Sequence, residues 1–436
     1  MSNLVAIVGR PNVGKSTLFN RLLERKEAII DNQSGVTRDR HYGLVEWGGQ
    51  KFTVIDTGGY VTGSEDKFET QIRKQVEIAI KECSLILFMV DCHTGLTGLD
   101  KEFAKIIRAS AKPILLVANK ADTHELTMNA SEFYSLGLPG EIFPISSNSG
   151  SGTGDLLDEV IKLLPKEEEN NELSELPHIA VLGRPNVGKS SFLNALLGEE
   201  RSIVTDEAGT TRDSINSRYQ LFGKDFVITD TAGVRKKSKV SDNIEFYSVM
   251  RAIRALQDSD VCIIMVDAER GVEAQDVNLL SLASRYNKGA MIMVNKWDKV
   301  EKDQNSTKKF TDAIYEKISP MDYVPIVFTS VTEKQRIFKA IEKALDIYDE
   351  LKKKIPTSKI NEVMLKEIEA YPPPATKGKY IKIKYITQLT SKTPAFAFFC
   401  NLPQYVKAPY LRFLENKLRK TFGFEGVPIR IFMRKK

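Results

Sequence analysis

Residues 9–16 read Gly9, Arg10, Pro11, Asn12, Val13, Gly14, Lys15 and Ser16, and the same eight residues recur as Gly183, Arg184, Pro185, Asn186, Val187, Gly188, Lys189 and Ser190. Two glycines five apart, followed by Lys and Ser, fit a loop whose backbone N–H groups wrap phosphates at a helix N-terminus. Lys15 and Lys189 reach the β- and γ-phosphates there, and Ser16 and Ser190 offer hydroxyls to Mg²⁺. Thr17 and Ser191 follow at the start of each helix. Asp56, Thr57, Gly58 and Gly59 in the first half match Asp230, Thr231, Ala232 and Gly233 in the second. An Asp ending an apolar strand holds Mg²⁺ through its water shell, and the closing glycine brings an N–H to the γ-phosphate.

A third motif selects the base. Asn119, Lys120 and Asp122 recur as Asn295, Lys296 and Asp298. A carboxylate accepts from adjacent N–H groups, and guanine presents N1–H and N2–H₂ on one edge. Adenine has no such pair and would leave a buried acceptor unpaired, at a cost of about 1–3 kcal/mol. The aliphatic stem of either lysine covers the base face. Ser146 with Ser147, and Ser330 with Val331, stand where a last loop would give backbone N–H to guanine O6.

These motifs need elements to hold them. The phosphate and DTxG motifs repeat with an offset of 174, as do VTRD at 36–39 and TTRD at 210–213, and the NKxD motif repeats with an offset of 176. That period is a whole domain, so the chain is a tandem duplication. In each copy short apolar runs (LVAIVG and HIAVLG, SLILFMVD and VCIIMVD, PILLVANK and AMIMVNK) alternate with helix-like stretches. This predicts a doubly wound α/β domain with a mostly parallel buried sheet. The expected domains are 1–164 and 178–350, joined by an acidic, proline-bracketed linker at 165–177, with a third domain at 351–436.

Composition bounds the setting. The chain has 436 residues, 42% hydrophobic and 28% charged, as in globular proteins. No apolar stretch reaches ~18 residues, and the N-terminus lacks a basic segment followed by an apolar run, so a cytoplasmic location is expected. Cys83, Cys92, Cys262 and Cys400 form no Cys-x-x-Cys pair, and the four histidines are scattered, so no zinc site is argued. Charge is uneven. Residues 351–436 carry 19 basic and 5 acidic side chains, a net of +14, and the remainder nets −8. A basic terminal module on an acidic body suits nucleic acid or another acidic surface.

Tandem GRPNVGKS, DTGG then DTAG, NKxD in both copies and a basic tail together resemble the EngA/Der family, over essentially the whole chain. The resemblance implies two P-loop GTPase domains and a C-terminal α+β domain of KH-like fold. It also implies GTP hydrolysis to GDP and phosphate, and a role in assembly of the large ribosomal subunit. Partners would be that subunit and its rRNA, with no DNA partner, no stable membrane association and a monomer off the ribosome. The last loops depart from the family's usual Ser-Ala, though backbone donors survive the change. Tyr60 and Val234 stand where GTPases of the Ras type have a water-orienting Gln. The resemblance instead implies that Asn12 and Asn186 help hold K⁺ beside the phosphates, where a cation neutralises developing charge. Thr37 and Thr211 align within the repeat and are expected to close on Mg²⁺ and the γ-phosphate. Lys15, Ser16, Thr37, Asn12 and their counterparts Lys189, Ser190, Thr211, Asn186 are thus the candidate catalytic set.

In the tail, IKIKYI at 381–386 reads as a half-buried strand. Phe396, Phe398 and Phe399 read as core rather than as a base-stacking platform. Gly423-Phe424-Glu425-Gly426 is rejected as a KH clamp, because it lies between a helix and a strand and holds an acid. RNA contact is expected from Arg412, Lys417, Arg419, Lys420, Arg434, Lys435 and Lys436, through phosphates. Arg235, Lys236, Lys237 and Lys239 form a second basic cluster after DTAG. The competing function is a GTP-dependent switch on a protein or membrane partner, with the tail meeting acidic lipid.

Overall fold

The computed structural model describes residues 3–24, 42–57, 76–165, 176–197, 203–208, 215–221, 223–229, 244–301, 305–375 and 378–435. The chain divides into two compact units, one drawn from 1–29, 37–170 and 238–257, the other from 30–36, 171–237 and 258–436.

The first unit holds a six-stranded sheet of β1 (Leu4–Val8), β2 (Tyr42–Trp47), β3 (Gln50–Asp56), β4 (Leu85–Asp91), β5 (Ile114–Asn119) and β6 (Ile142–Pro144), in the order β2-β3-β1-β4-β5-β6. All pairs are parallel except β2 with β3. The apolar runs of β4 and β5 are buried along their whole length, as strands covered on both faces must be. Helices α1 (Lys15–Glu24), α2 (Gly98–Ala109), α3 (His124–Asn129) and α4 (Thr153–Leu163) accompany the strands. Strand order reverses at β1, whose neighbours are β3 and β4. The crevice at the carboxyl ends of such strands is where open α/β sheets bind ligands. The hairpin strand β2 was not foreseen. Its turn, Gly48–Gly49, has φ of 54° and 79°, which glycines adopt without steric cost in a two-residue hairpin.

The second unit repeats this plan with β7 (His178–Leu182), α5 (Lys189–Leu197), β8 (Ile203–Ala208), β9 (Ile215–Leu221) and β10 (Lys224–Thr229). Helix α6 (Ile244–Gln257) follows in sequence but counts with the first unit, where Gln257 Nε2 donates to Thr53 Oγ1 at 3.0 Å. The chain continues through β11 (Val261–Asp267), α7 (Ala274–Arg285), β12 (Gly289–Asn295), α8 (Ser306–Ile318), β13 (Ile326–Phe328) and α9 (Ile337–Lys352). The sheet order is β13-β12-β11-β7-β10-β9-β8.

The terminal domain, α10 (Thr357–Ala370), β14 (Ile383–Gln388), β15 (Ala395–Cys400), α11 (Ala408–Phe422) and β16 (Arg430–Lys435), has a three-stranded sheet of order β14-β15-β16. In α11, Tyr410, Leu414, Leu418 and Phe422 recur every four residues and are all buried. They share one core with Phe396 and Phe398, as the sequence suggested, and with Ile347 and Leu351 of α9. The Gly423–Gly426 segment is packed rather than open. Gly426 N donates to Tyr323 O at 2.7 Å, and Ala290 N donates to Gly426 O at 2.8 Å. All four cysteines are buried thiols. Among the described residues no helix is long and apolar enough to cross a membrane.

Candidate functional site

The loop from Gly9 to Gly14 leaves the end of β1 and enters α1, and its twin joins β7 to α5. Asn12 and Asn186 take left-handed φ of 65° and 64°, and both side chains are exposed at the loop. Gly14 has a φ of 96°, and a Cβ there would lie 2.3 Å from Asn119 Nδ2; Gly188 meets Asn295 Nδ2 at the same 2.3 Å. Only glycine fits, because the base motif grips the phosphate loop directly. Asn119 Nδ2 donates to Val13 O at 2.8 Å, and Asn295 Nδ2 to Val187 O at 2.9 Å.

The opposite end of each asparagine holds the last loop. Asn119 Oδ1 accepts from Ser147 N at 3.0 Å and from Ser147 Oγ at 2.8 Å, and Asn295 Oδ1 accepts from Val331 N at 3.1 Å. The preceding Ser146 and Ser330 are buried. Three motifs far apart in sequence thus meet at one asparagine in each copy. The carboxylates of Asp122 and Asp298 remain exposed.

Lys15 Nζ donates to Gly9 O at 2.9 Å and to Arg10 O at 2.8 Å. Lys189 Nζ does the same to Gly183 O and Arg184 O, at 2.7 Å each. Burial pulls both ammonium groups down to about 8, only partly offset by Asp56 for Lys15 and by Asp276 for Lys189. An ammonium so short of charge partners is matched to a polyphosphate. Ser16 Oγ donates to the buried Asp56 Oδ2 at 2.6 Å, so two oxygens suited to a hard cation are adjacent at the loop mouth. Thr57 Oγ1 donates to Ile7 O at 2.8 Å and fixes the end of β3 against β1. In the second copy, Arg184, Pro185, Asn186, Val187, Asp267, Glu269, Arg270 and Lys296 line a cavity of about 130 Å³. Thr37, Gly58, Gly59, Thr211, Asp230, Thr231, Ala232, Gly233, Tyr60, Val234 and the 235–239 basic cluster lie outside the described residues.

Residues 4–120 and 178–296 match the family described as 50S ribosome-binding GTPase, and residues 354–434 match the KH-domain-like C-terminal family of EngA bacterial GTPase enzymes. The chain is 59% identical over 436 residues to the GTPase Der of Cytophaga hutchinsonii, and 60% identical to that of Christiangramia forsetii, covering 100% of each protein and of itself. The chain belongs to the EngA/Der family of GTPases. It is a GTP-binding, GTP-hydrolysing enzyme with two P-loop domains and a KH-like domain.

Sequence reasoning missed a set of acidic residues that the EngA/Der fold places beside the loop and base motifs in both copies. Lys120 Nζ bonds Asp91 Oδ2 at 2.6 Å, and Lys296 Nζ bonds Asp267 Oδ2 at 2.5 Å. Burial works against both carboxylates, yet the lysine bond and neighbouring N–H groups hold them below the usual carboxylate range. Arg10 Nε lies 3.3 Å from Asp100 Oδ2, with Asp91 at 4.0 Å, and Arg184 Nε lies 3.0 Å from Asp276 Oδ2. Arg184 also pairs with Glu273 and donates to Gly271 O at 2.8 Å. Asp100 and Asp276 are fully buried, each in a capping box at the start of a helix. In the first copy Asp91 meets both Arg10 and Lys120 and so ties the phosphate loop to the strand carrying the base motif, and in both copies the arginine ties the loop to the start of the following helix. The signal was present in sequence, since Asp91 and Asp100 recur at Asp267 and Asp276 with the NKxD offset of 176.

The tail needs one correction. Arg419 donates to Phe424 O and to Val427 O at 2.5 and 2.8 Å, pairs with Glu415 and stacks 4.0 Å over the Tyr323 ring. Lys417 pairs with Glu367 at 2.6 Å. The Arg419 charge is spent inside the protein because α11 is amphipathic and this position borders its buried face, while Lys417 stays partly exposed in a surface pair. Arg412, Lys420, Arg434 and Lys435 are exposed; Lys436 lies outside the described residues.

Proposed function

We propose that this GTPase is a switch in assembly of the large ribosomal subunit, with residues 351–436 as its contact with rRNA. The observation that carries this is the net +14 of that segment against −8 for the rest. The family description, a 50S ribosome-binding GTPase, supports the same partner. An acidic membrane is disfavoured, because the tail's phenylalanines Phe396, Phe398 and Phe422 are buried, and its exposed rings, Tyr371, Tyr380 and Tyr385, carry hydroxyls and form no continuous apolar face for insertion. The proposed bounds are 1–164, 178–350 and 351–436, with a cytoplasmic monomer off the ribosome.

Each site binds one nucleotide. Asp122 or Asp298 accepts from the guanine edge, the stem of Lys120 or Lys296 covers the base, and the Gly9–Ser16 or Gly183–Ser190 backbone with Lys15 or Lys189 cradles the phosphates. Ser16 with Asp56, and Ser190 with Asp230, would hold Mg²⁺ together with Thr37 or Thr211, and the Ser16–Asp56 contact of 2.6 Å fits that use. When bound, Mg²⁺ would neutralise phosphate charge. The exposed side chains of Asn12 and Asn186 suit a K⁺ ligand, and a faster GTPase in KCl than in NaCl at equal ionic strength tests that role.

Removing residues 351–436 would uncover Ile347 of the shared core and take the Gly426 acceptor from Ala290 N, so the ribosome reading is tested by charge instead. Full-length protein is co-sedimented with large subunits across a salt series, loaded with GDP or a GTP analogue. The GTP-analogue form is expected to bind better. The triple variant Lys420→Gln, Arg434→Gln, Lys435→Gln should lose up to about three counterions' worth of salt slope. Unchanged binding by that variant would remove the assigned contact, and equal binding in both nucleotide states would remove the switch.

A further inference from the structure

We infer that the edge from Lys379 to Tyr385 is a platform for unpaired RNA bases. This rests on the RNA-binding reading of the terminal domain and names a site within it. Alternation, shifted by one residue at a register irregularity between Ile383 and Tyr385, divides the segment. Ile381, Ile383 and Ile386 enter the core at 5, 9 and 0% exposure, while Lys379, Tyr380, Lys382, Lys384 and Tyr385 face outward. Tyr380 is 77% exposed and Tyr385 43%, two exposed aromatic rings among three lysines. Such interleaving fits single-stranded nucleic acid, where bases stack on rings and phosphates meet cations.

The platform is held rigidly. Asn401 donates from Nδ2 to Tyr380 O at 3.0 Å and accepts from Lys382 N at 2.8 Å, fixing the chain on both sides of Ile381. The Tyr385 ring rests on Phe399 with centroids 5.8 Å apart. Lys379 Nζ stands 5.4 Å from the Tyr405 ring, which brings a third aromatic to the same edge. Strand β14 is an edge strand, and its later part is closed by α10: Asn361 donates to Ile386 O at 2.7 Å and accepts from Ile386 N at 2.9 Å. That cover begins where the tyrosine-lysine strip ends. A net of +14 on the domain selects an anionic occupant, and aromatic rings select one with flat faces.

The test is fluorescence anisotropy of full-length protein with a labelled oligouridylate of about 12 nucleotides, beside an RNA duplex of equal length. The double variant Tyr380→Ala, Tyr385→Ala should weaken single-strand binding about 10- to 100-fold. It should leave duplex affinity and the salt slope unchanged, and Tyr380→Phe with Tyr385→Phe should retain binding. Lys382→Gln with Lys384→Gln should lower the salt slope instead. Wild-type single-strand affinity in the alanine variant, equal losses on duplex, no oligouridylate binding by the wild type, or binding of oligoglutamate in place of RNA would each overturn the assignment. Circular dichroism confirms the fold of each variant. The oligonucleotide reads the platform and subunit co-sedimentation reads the ribosome, so the two ideas fail separately.

Discussion

Breaking the Arg184–Asp276 pair should loosen nucleotide binding at the second site without touching the phosphates. Arg184 has 8% and Asp276 0% side-chain exposure, so neither charge has water to replace its partner. Burial outweighs both the Glu273 N–H and Arg184, and it holds the Asp276 carboxyl above its ordinary range. The carboxylate is therefore the weaker member. Asp276→Asn keeps an acceptor for Glu273 N and leaves Arg184 with Gly271 O and Glu273, costing about 1–2 kcal/mol. Arg184→Leu strands a buried carboxylate and costs about 3 kcal/mol, the low end for a broken buried pair because that carboxyl can take a proton. If the anchored loop is the binding conformation, these become about 5- to 30-fold and about 150-fold rises in Kd. The assay is titration with a fluorescent GDP analogue, in full-length protein whose first site is silenced by Lys15→Ala. The double variant should lose less than the sum of the singles, because the residues act as one unit. Additive losses would refute the anchor. So would a fall in kcat with Kd unchanged, which would make Arg184 a group acting on the reacting phosphates.

Asp122→Asn or Asp298→Asn should shift preference from guanosine to xanthosine nucleotides at its own site only, since an amide donates where xanthine carries an acceptor; binding with each nucleotide series checks this. Gly14→Ala and Gly188→Ala should each weaken nucleotide binding at least about a hundredfold at their own site, by combining backbone strain with a Cβ 2.3 Å from the asparagine that holds the loop; calorimetric titration reads the loss. Lys15 and Lys189, held by burial at about 8, must be charged to meet phosphate. Affinity is then complete below that pH and falls as pH rises through it, so Kd for GDP should be about tenfold higher at pH 9 than at pH 7. A flat profile over that span would mean the lysines are already charged in the free protein.

The nucleotide sites were legible because their chemistry is local. Phosphate binding needs a glycine pattern inside eight residues, and base choice needs an acid three residues after an asparagine. What joins the motifs was not legible, because it runs between distant segments. Asn119 reaches Val13 across 106 positions and Arg10 reaches Asp100 across 90. No spacing rule covers such distances. The duplication could have supplied one: an acid recurring with the motif's own offset, on an otherwise apolar strand or at a helix start, is a residue the site needs. Asp91 and Asp100 meet that test. The tail failed differently. Its composition pointed to RNA, but composition counts a cation without saying what it faces. Arg419 was counted toward RNA and is spent on Glu415, Tyr323 and two carbonyls. The sequence at 381–386 reads only as a half-buried strand, because alternation tells which residues leave the core and not what they meet outside. Side-chain charge becomes an argument about a partner only after the internal pairs are subtracted, and after that subtraction the lysines and tyrosines beside β14 remain.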